Sequence, residues 1–217
     1  MKPKIAILGD SHTDNWLYVK QKSLLPEFIL CISKASTASA TGVMNKKSKS
    51  QSRKVFKKFI RKYYKANKKF DLAVIELGEV DCNCTFWLKL HDQGISLDEQ
   101  VKVTVDRMTT FVDYYLSDTK VVFMGAILPV IETQKGTTRH GHIINESQQE
   151  RTDLTNKFNA HLKSKVKYYF DINDMLVNPK TGLISPEYRN NIDHHLSHKT
   201  VAPLLIQRLK ETHANIC

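Results

Sequence analysis

Two short polar stretches, near opposite ends of the chain, contain the residues best suited to chemistry. Asp10, Ser11 and His12 directly follow the apolar run IAILG, and Asp193 and His195 stand in DHHLS near the carboxyl terminus. A serine hydroxyl, an imidazole and a carboxylate together can perform nucleophilic acyl transfer, with the serine as the attacking group. A second interpretation is that Asp10 and His12 bind a metal ion as a D-x-H pair.

Alternating strand-like and helix-like segments would position these residues. Branched apolar runs typical of buried parallel strands predict five strands, at residues 4–10, 27–33, 72–78, 120–128 and 166–172. Helical patterns between and after them predict helices at residues 46–69, 97–116, 146–165 and about 198–212, the last with Ser197 as its N-cap. This order predicts an α/β fold with a mostly parallel sheet covered on both faces by helices.

The composition is that of one ordinary globular domain spanning residues 1–217, with 41% hydrophobic and 25% charged residues. The apolar run before Gly9 is too short for a signal peptide, and no run approaches the roughly 20 apolar residues of a membrane span. We therefore expect a cytoplasmic protein without membrane contact. Four irregularly spaced cysteines predict reduced thiols rather than a disulfide framework or a zinc site.

Positive charge is concentrated in one segment. The formal net charge is +11, and residues 46–69 contain twelve Lys and Arg and no acidic residue. Apolar residues recur within this segment at helical spacing, which predicts an amphipathic helix with one basic face. Such a face is either simply solvated or binds an anionic polymer rich in phosphate or carboxylate groups. Nucleic acid is not the expected partner, because no known nucleic-acid-binding motif accompanies the charge.

The carboxyl ends of parallel strands are where sites form in open α/β sheets. The candidate site residues that follow the predicted strands, or lie in the next loop, are Asp10, Ser11, His12, Gly42, Gly78, Glu79, Val80, Asp81, Asn83, His140, Asp193, His194 and His195. We expect these residues to meet at one edge of the sheet.

Four of these stretches make the chain resemble the SGNH/GDSL hydrolase family over nearly its whole length. The similar blocks are Gly9-Asp10-Ser11, Gly42, Gly78-Glu79-Val80-Asp81 in place of the family's G-x-N-D, and the closing pair Asp193 and His195. The resemblance implies a three-layer α/β/α sandwich with a flavodoxin-like, mostly parallel five-stranded sheet. It also implies ester cleavage that needs no metal or other cofactor.

Within that resemblance, Ser11 is the nucleophile, His195 the general base and Asp193 the residue that orients the imidazole. The backbone N–H groups of Ser11 and Gly42 would form the oxyanion hole. The implied substrate pocket comprises Asp10, His12, Gly78, Glu79, Val80, Asp81, His140 and His194.

Two positions depart from the family pattern. Val80 stands where the family has an asparagine that donates to the oxyanion, and Asn83 is a candidate substitute. Asp193 lies two residues before His195 where the family usually has three, so His194 and His198 compete for the role of base.

The leading hypothesis is a serine esterase that hydrolyses or transfers a small acyl group, with O-acetyl on a carbohydrate as the expected substrate. The main alternative is a catalytically weak or inactive domain of the same fold that binds an anionic polymer. A metal-dependent phosphoesterase is less favoured, because the chain lacks the additional ligand motifs of such enzymes.

Overall fold

The protein is described by a computed structural model that covers residues 1–66, 69–132, 144–190 and 192–217. A five-stranded sheet in the order β2-β1-β3-β4-β5 forms its centre, and every strand pair is parallel. The strands are β1 (Lys4–Gly9), β2 (Ile29–Lys34), β3 (Leu72–Glu76), β4 (Lys120–Met124) and β5 (Tyr169–Phe170). The strand order reverses between β1 and β3, which is where such sheets place their sites.

Seven α-helices cover the sheet in the described part of the chain. They are α1 (Asp14–Gln21), α2 (Ser52–Lys65), α3 (Phe86–Gln93), α4 (Leu97–Tyr115), α5 (Gln148–Lys165), α6 (Asn173–Leu176) and α7 (His198–Ile216). Three shorter turns of helix are Ser11–Thr13, Asp81–Thr85 and Pro186–Tyr188. The predicted α/β/α sandwich is therefore confirmed.

Alternation along the strands divides the core into two layers. Ala6 and Leu8 of β1 pack on one face, with apolar residues of α2, α4 and α5. Ile5 and Ile7 point to the opposite face, where α1 and α7 supply their apolar residues. Because both faces are covered, the strands are apolar at consecutive positions, which is why they read as continuous apolar runs in the sequence.

Several predicted bounds were wrong: β4 ends at Met124 rather than at residue 128, and the fifth strand and the basic helix differ most. The fifth strand has two residues instead of seven, because Asp171 accepts a hydrogen bond from the N–H of Asn173 at 3.1 Å and turns the chain. The basic helix begins at Ser52 rather than Lys46, since Gln51 has a left-handed φ of 50° that interrupts the helix.

Ser197 does stand at the N-cap position of α7, but its side chain makes no capping hydrogen bond. No helix within the described ranges combines the length and the apolar character needed to cross a membrane.

Candidate active site

The chain leaves β1 through a tight turn that carries Asp10, Ser11 and His12. Asp10 caps the short helix Ser11–Thr13, since its carboxylate accepts the backbone N–H of His12 at 2.9 Å. Gly9 is required before the turn, because a Cβ there would collide with Glu76 and Thr13. Ser11 is partly exposed, whereas Asp10 and His12 are buried. The turn thus presents Ser11 at the edge of the sheet.

The loop 192–197 brings Asp193 and His195 to the same place. Nδ1 of His195 lies 2.9 Å from Oδ1 of Asp193, and the backbone N–H of His195 donates to the same oxygen at 2.8 Å. Asn190 donates to this oxygen at 2.6 Å. Partial burial would raise the pKa of Asp193, but these hydrogen bonds outweigh it and lower the pKa to about 2. Asp193 is therefore a carboxylate that orients His195.

The second nitrogen of His195 is directed away from Asp193 and is available. Nε2 is buried and makes no hydrogen bond with any residue that the structure describes, Ser11 included. The His195 ring centroid lies 5.1 Å from that of His12, the residue next to Ser11, and 4.0 Å from that of His194. His198, the other candidate base, has its Nδ1 2.7 Å from Oδ1 of Asn15 instead.

Glu79 and Asn83 form a buried polar chain behind the Ser11 turn. Oε2 of Glu79 lies 3.6 Å from Nε2 of His12, which is the distance of an ion pair rather than of a hydrogen bond. Oε1 of Glu79 accepts from the Asn83 amide at 2.7 Å, and the Asn83 carbonyl accepts from Arg151 at 3.0 Å. Asn83 is thus engaged on both sides, and its predicted role in the oxyanion hole stays a prediction.

Asp81 holds the loop between β2 and α2 in place through hydrogen bonds to its backbone. It is fully buried and accepts the backbone N–H groups of Ala40 and Thr41, the latter at 3.1 Å. Burial raises the pKa of Asp81, and the two N–H donors partly offset that effect. Gly42 follows directly, but its N–H donates to Ser39 at 3.0 Å to the carbonyl and 3.1 Å to the hydroxyl. A role for Gly42 as an oxyanion donor would need that N–H to be released.

Gly78 and Val80 complete the third block. Gly78 has a φ of 123°, and a Cβ there would approach Cε1 of Phe158 to 2.6 Å, so only glycine fits. Val80 is partly exposed and precedes the helical turn Asp81–Thr85. His140 lies outside the described residues. Of the predicted pocket residues, the structure gathers His12, Glu79 and His194 around His195 and uses Asp81 to support a loop.

Buried charge is concentrated at this edge of the sheet. Burial raises the pKa of Asp10 to about 7 and that of Glu76 to about 8. Burial would lower the pKa of His12, but the neighbouring carboxylates, Glu79 first, outweigh it and raise the pKa to about 9. The pKa of Glu79 is lowered, because His12 and Asn83 overcome the effect of its burial. Such shifted values are characteristic of functional sites.

Sequence reasoning missed Arg151 and Glu76. Arg151 is fully buried and donates to the carbonyls of Ile131 and Glu132 at 2.8 Å and 2.7 Å, in addition to Asn83. Its position on the helix could have revealed it, because it lies on the same apolar stripe as Phe158 seven residues later. Glu76 could also have been found, because it is an acidic residue at the end of an otherwise apolar strand.

Comparison with known proteins supports the fold and leaves the activity open. No protein-family model matches the chain, and no curated protein sequence is significantly similar to it. Several solved structures are similar along almost the whole chain, and three of them illustrate the range. A GDSL-like lipase from Bacteroides thetaiotaomicron has a TM-score of 0.58 and 13% identity, with 100% of this chain and 90% of that chain covered.

The second structure is an acetyl xylan esterase, with a TM-score of 0.55, 14% identity, and coverage of 94% of this chain and 98% of the other. The third is a family 3 carbohydrate esterase from Talaromyces cellulolyticus, with a TM-score of 0.53, 12% identity, and coverage of 99% and 100%. The chain therefore has the SGNH/GDSL hydrolase fold. Because identities this low establish a fold alone, the activity has to be argued from the site.

Proposed function

We propose that the protein is a serine esterase in which Ser11 is the nucleophile, His195 the general base and Asp193 the orienting carboxylate. One observation carries the proposal. Asp193 holds His195 through Nδ1 at 2.9 Å, which leaves Nε2 unpaired beside the turn that presents Ser11. A hydrolase triad needs this order of contacts from carboxylate to imidazole to hydroxyl.

The reaction would proceed in two halves. Ser11 Oγ attacks the ester carbonyl as Nε2 of His195 takes the hydroxyl proton, and the imidazolium is stabilised by Asp193. The imidazolium then protonates the leaving alkoxide, which departs as an alcohol and leaves an acyl group on Ser11. Water attacks the acyl-enzyme by the same proton route and releases the carboxylic acid. An acceptor hydroxyl in place of water would give acyl transfer.

The triad is complete only when His195 and Ser11 move into hydrogen-bond contact. Nε2 of His195 must come within about 2.6–3.2 Å of Ser11 Oγ, and such hydrogen bonds often tighten only when substrate binds. The backbone N–H of Ser11 would donate to the oxyanion, while that of Gly42 first has to leave Ser39.

The proposed substrate is a small acyl ester on a carbohydrate, with O-acetyl as the leading case. Two of the similar structures are an acetyl xylan esterase and a carbohydrate esterase, which supports this choice by analogy.

The first test compares wild type, Ser11→Ala and Ser117→Ala with a fluorophosphonate probe and p-nitrophenyl acetate, each with and without EDTA. Ser117 is an exposed serine just after α4 and serves as the matched control. We expect probe labelling and turnover to vanish in Ser11→Ala, with kcat/KM reduced by about 10⁴-fold or more. Wild type and Ser117→Ala should react equally and keep their activity in EDTA.

Other results have defined meanings. Activity that EDTA abolishes and Ser11→Ala retains would replace the esterase with a metal-dependent hydrolase. Labelling that persists in Ser11→Ala would place the nucleophile elsewhere.

Val80→Asn tests the oxyanion hole. A single such donor is worth about 10²–10³ in kcat in a serine hydrolase. If a missing donor limits the rate, the substitution should raise kcat by at least tenfold without a matching change in KM. An unchanged kcat would show that the missing amide is not what limits turnover.

A second candidate function, binding of an anionic polymer, is favoured by a groove beside α2. The described residues that line a cavity of 760 Å³ include six cationic ones and no acidic one: Lys46, Lys47, Lys49, Arg53, Lys54 and Lys57. Arg53 is held in place, since its Nε donates to the hydroxyl of Tyr115 at 3.1 Å. Among the residues that can be described, none of the six forms an ion pair with a carboxylate. Their charge is therefore free for an external anion.

This function is tested with polygalacturonate, and with neutral dextran for comparison. Replacing Lys46, Lys47 and Lys49 by Glu should abolish binding of the anionic polymer. The matched triple variant at Lys2, Lys22 and Lys199, all exposed and outside the groove, should bind as wild type does. Equal losses in both variants would mean that net charge alone attracts the polymer. Polymer binding by a wild type without esterase activity would make the protein a binding module.

A further inference from the structure

Three imidazole rings converge beside the Ser11 turn. His12 belongs to that turn, and His194 and His195 belong to the loop near the carboxyl terminus. Their ring centroids lie 4.0 Å apart for His194 and His195, 5.1 Å for His12 and His195, and 6.1 Å for His12 and His194. One ring nitrogen from each residue lies within 4.8 Å of the other two. We call these three residues the histidine cluster.

The ring nitrogens of the cluster are largely unused by the protein. Nε2 of His12 lies at ion-pair distance from Glu79, but neither nitrogen of this ring, whose side chain is only 1% exposed, makes a hydrogen bond with a described residue. Nε2 of His195 is also buried without a hydrogen bond to a described residue, while its Nδ1 faces Asp193. Unpaired polar atoms in a buried position are costly, so a ligand that uses them would stabilise the site.

The surrounding charge favours a cation rather than an anion. The Glu79 carboxylate is buried beside the cluster, with its Oε2 3.6 Å from Nε2 of His12. Asp193 contacts His195 on the side opposite the available nitrogen. A carboxylate on the far nitrogen of a histidine ligand is the usual arrangement around protein-bound zinc, where it fixes the ring and increases its basicity.

From these observations we propose that the histidine cluster binds a divalent transition-metal ion of borderline softness, with Zn²⁺ as the representative. His12, His194 and His195 each supply one nitrogen, and Asp193 positions His195. Three imidazoles with an open fourth position suit Zn²⁺, and imidazole in general suits Zn²⁺, Cu²⁺ and Ni²⁺ better than Mg²⁺ or Ca²⁺.

The inference goes beyond the proposed esterase and can fail independently of it. Binding of the ion requires neither Ser11 nor turnover. In a serine esterase the ion would occupy the lone pair of His195 Nε2 that accepts the Ser11 proton, so the metal-bound and catalytic states would exclude each other.

The test is direct metal binding by chelator-treated, dialysed full-length protein. Zn²⁺ binding is measured by titration calorimetry, and Co²⁺ binding by the visible absorption of the bound ion. We expect one ion per chain in wild type. His194→Ala and His195→Ala should each weaken Zn²⁺ binding by at least tenfold, and Asp193→Asn by about tenfold, as outer partners of metal ligands do. These three residues are partly or fully exposed, so their variants should fold.

Two further variants make the test specific. His161→Ala removes a partly exposed histidine on α5, outside the cluster, and should bind Zn²⁺ as wild type does. Ser11→Ala should also retain full affinity, because the serine is not a ligand. The proposal is overturned if wild type binds no ion, or if the affinity of His194→Ala and His195→Ala equals that of His161→Ala. Neither result depends on whether the protein cleaves an ester.

Discussion

Replacing Glu76 by Gln should stabilise the protein at neutral pH. Both carboxylate oxygens of Glu76 are buried and make no hydrogen bond within the described ranges of the chain, and burial raises the pKa from 4.5 to about 8. In the unfolded chain the carboxyl group is ionised at pH 7, whereas in the folded protein it is largely protonated. At pH 7 the carboxyl group of Glu76 must therefore bind a proton when the chain folds, and this proton uptake costs free energy.

The magnitude follows from that difference. A pH of 7 lies two and a half units above the unfolded pKa of 4.5. Each unit is worth about 1.4 kcal/mol, which gives a penalty of about 3 kcal/mol at pH 7. Because the pKa is raised on folding, this group makes the free energy of unfolding fall as the pH rises. The stability that the neutral group allows is fully present below pH 4.5 and is lost as the pH rises toward 8. Gln is neutral throughout and escapes the penalty.

The assay is urea unfolding at a series of pH values from 4 to 8. Glu76→Gln should match wild type near pH 4 and exceed its free energy of unfolding by about 3 kcal/mol at pH 7. Glu187→Gln, at an exposed position, is the control and should differ from wild type by less than about 0.5 kcal/mol at every pH. A Glu76→Gln variant that is less stable than wild type at pH 7 would refute the reasoning, because it would mean that the folded protein stabilises the ionised carboxylate.

Three other substitutions have defined outcomes. Asp193→Asn should lower kcat for p-nitrophenyl acetate by about 10⁴-fold with little effect on melting temperature, because it removes the carboxylate that orients His195; a loss below tenfold would exclude that role. Arg151→Met should reduce the free energy of unfolding by about 3–5 kcal/mol in urea, since Asn83 and three backbone carbonyls lose their donor. Wild-type stability would contradict the buried network. Gly78→Ala should cost at least about 2 kcal/mol in the same assay, because its φ of 123° and a neighbouring ring oppose a Cβ; a neutral effect would show that the turn relaxes.

The fold could be predicted from the sequence because strands and helices produce local patterns of apolar residues. The apolar run from Ile5 to Leu8 predicts β1 directly, and the period of α4 predicts a helix from Leu97. The fifth strand was predicted but made too long, because the pairing of this edge strand ends where a side-chain hydrogen bond turns the chain. That bond, from the Asn173 N–H to Asp171, cannot be read from an apolar run.

The candidate site could be predicted only in part, for a similar reason. The turn with Ser11 and the loop with His195 follow strand ends, so topology alone predicts that they are neighbours. The contact between Arg151 and Asn83 joins residues 68 positions apart, and no local pattern pairs them. Likewise, the sequence places His12 beside Ser11 without indicating that its ring turns inward toward Glu79.

The buried carboxylates at the site edge also have an evolutionary consequence. Glu76 and Asp10 are held where neutral residues would make a more stable protein, so selection for folding alone would remove them. Their retention in a lineage would indicate that the edge is still used, for acyl chemistry or for a bound cation. A descendant that kept the sheet but lost that use should drift toward amides at these two positions.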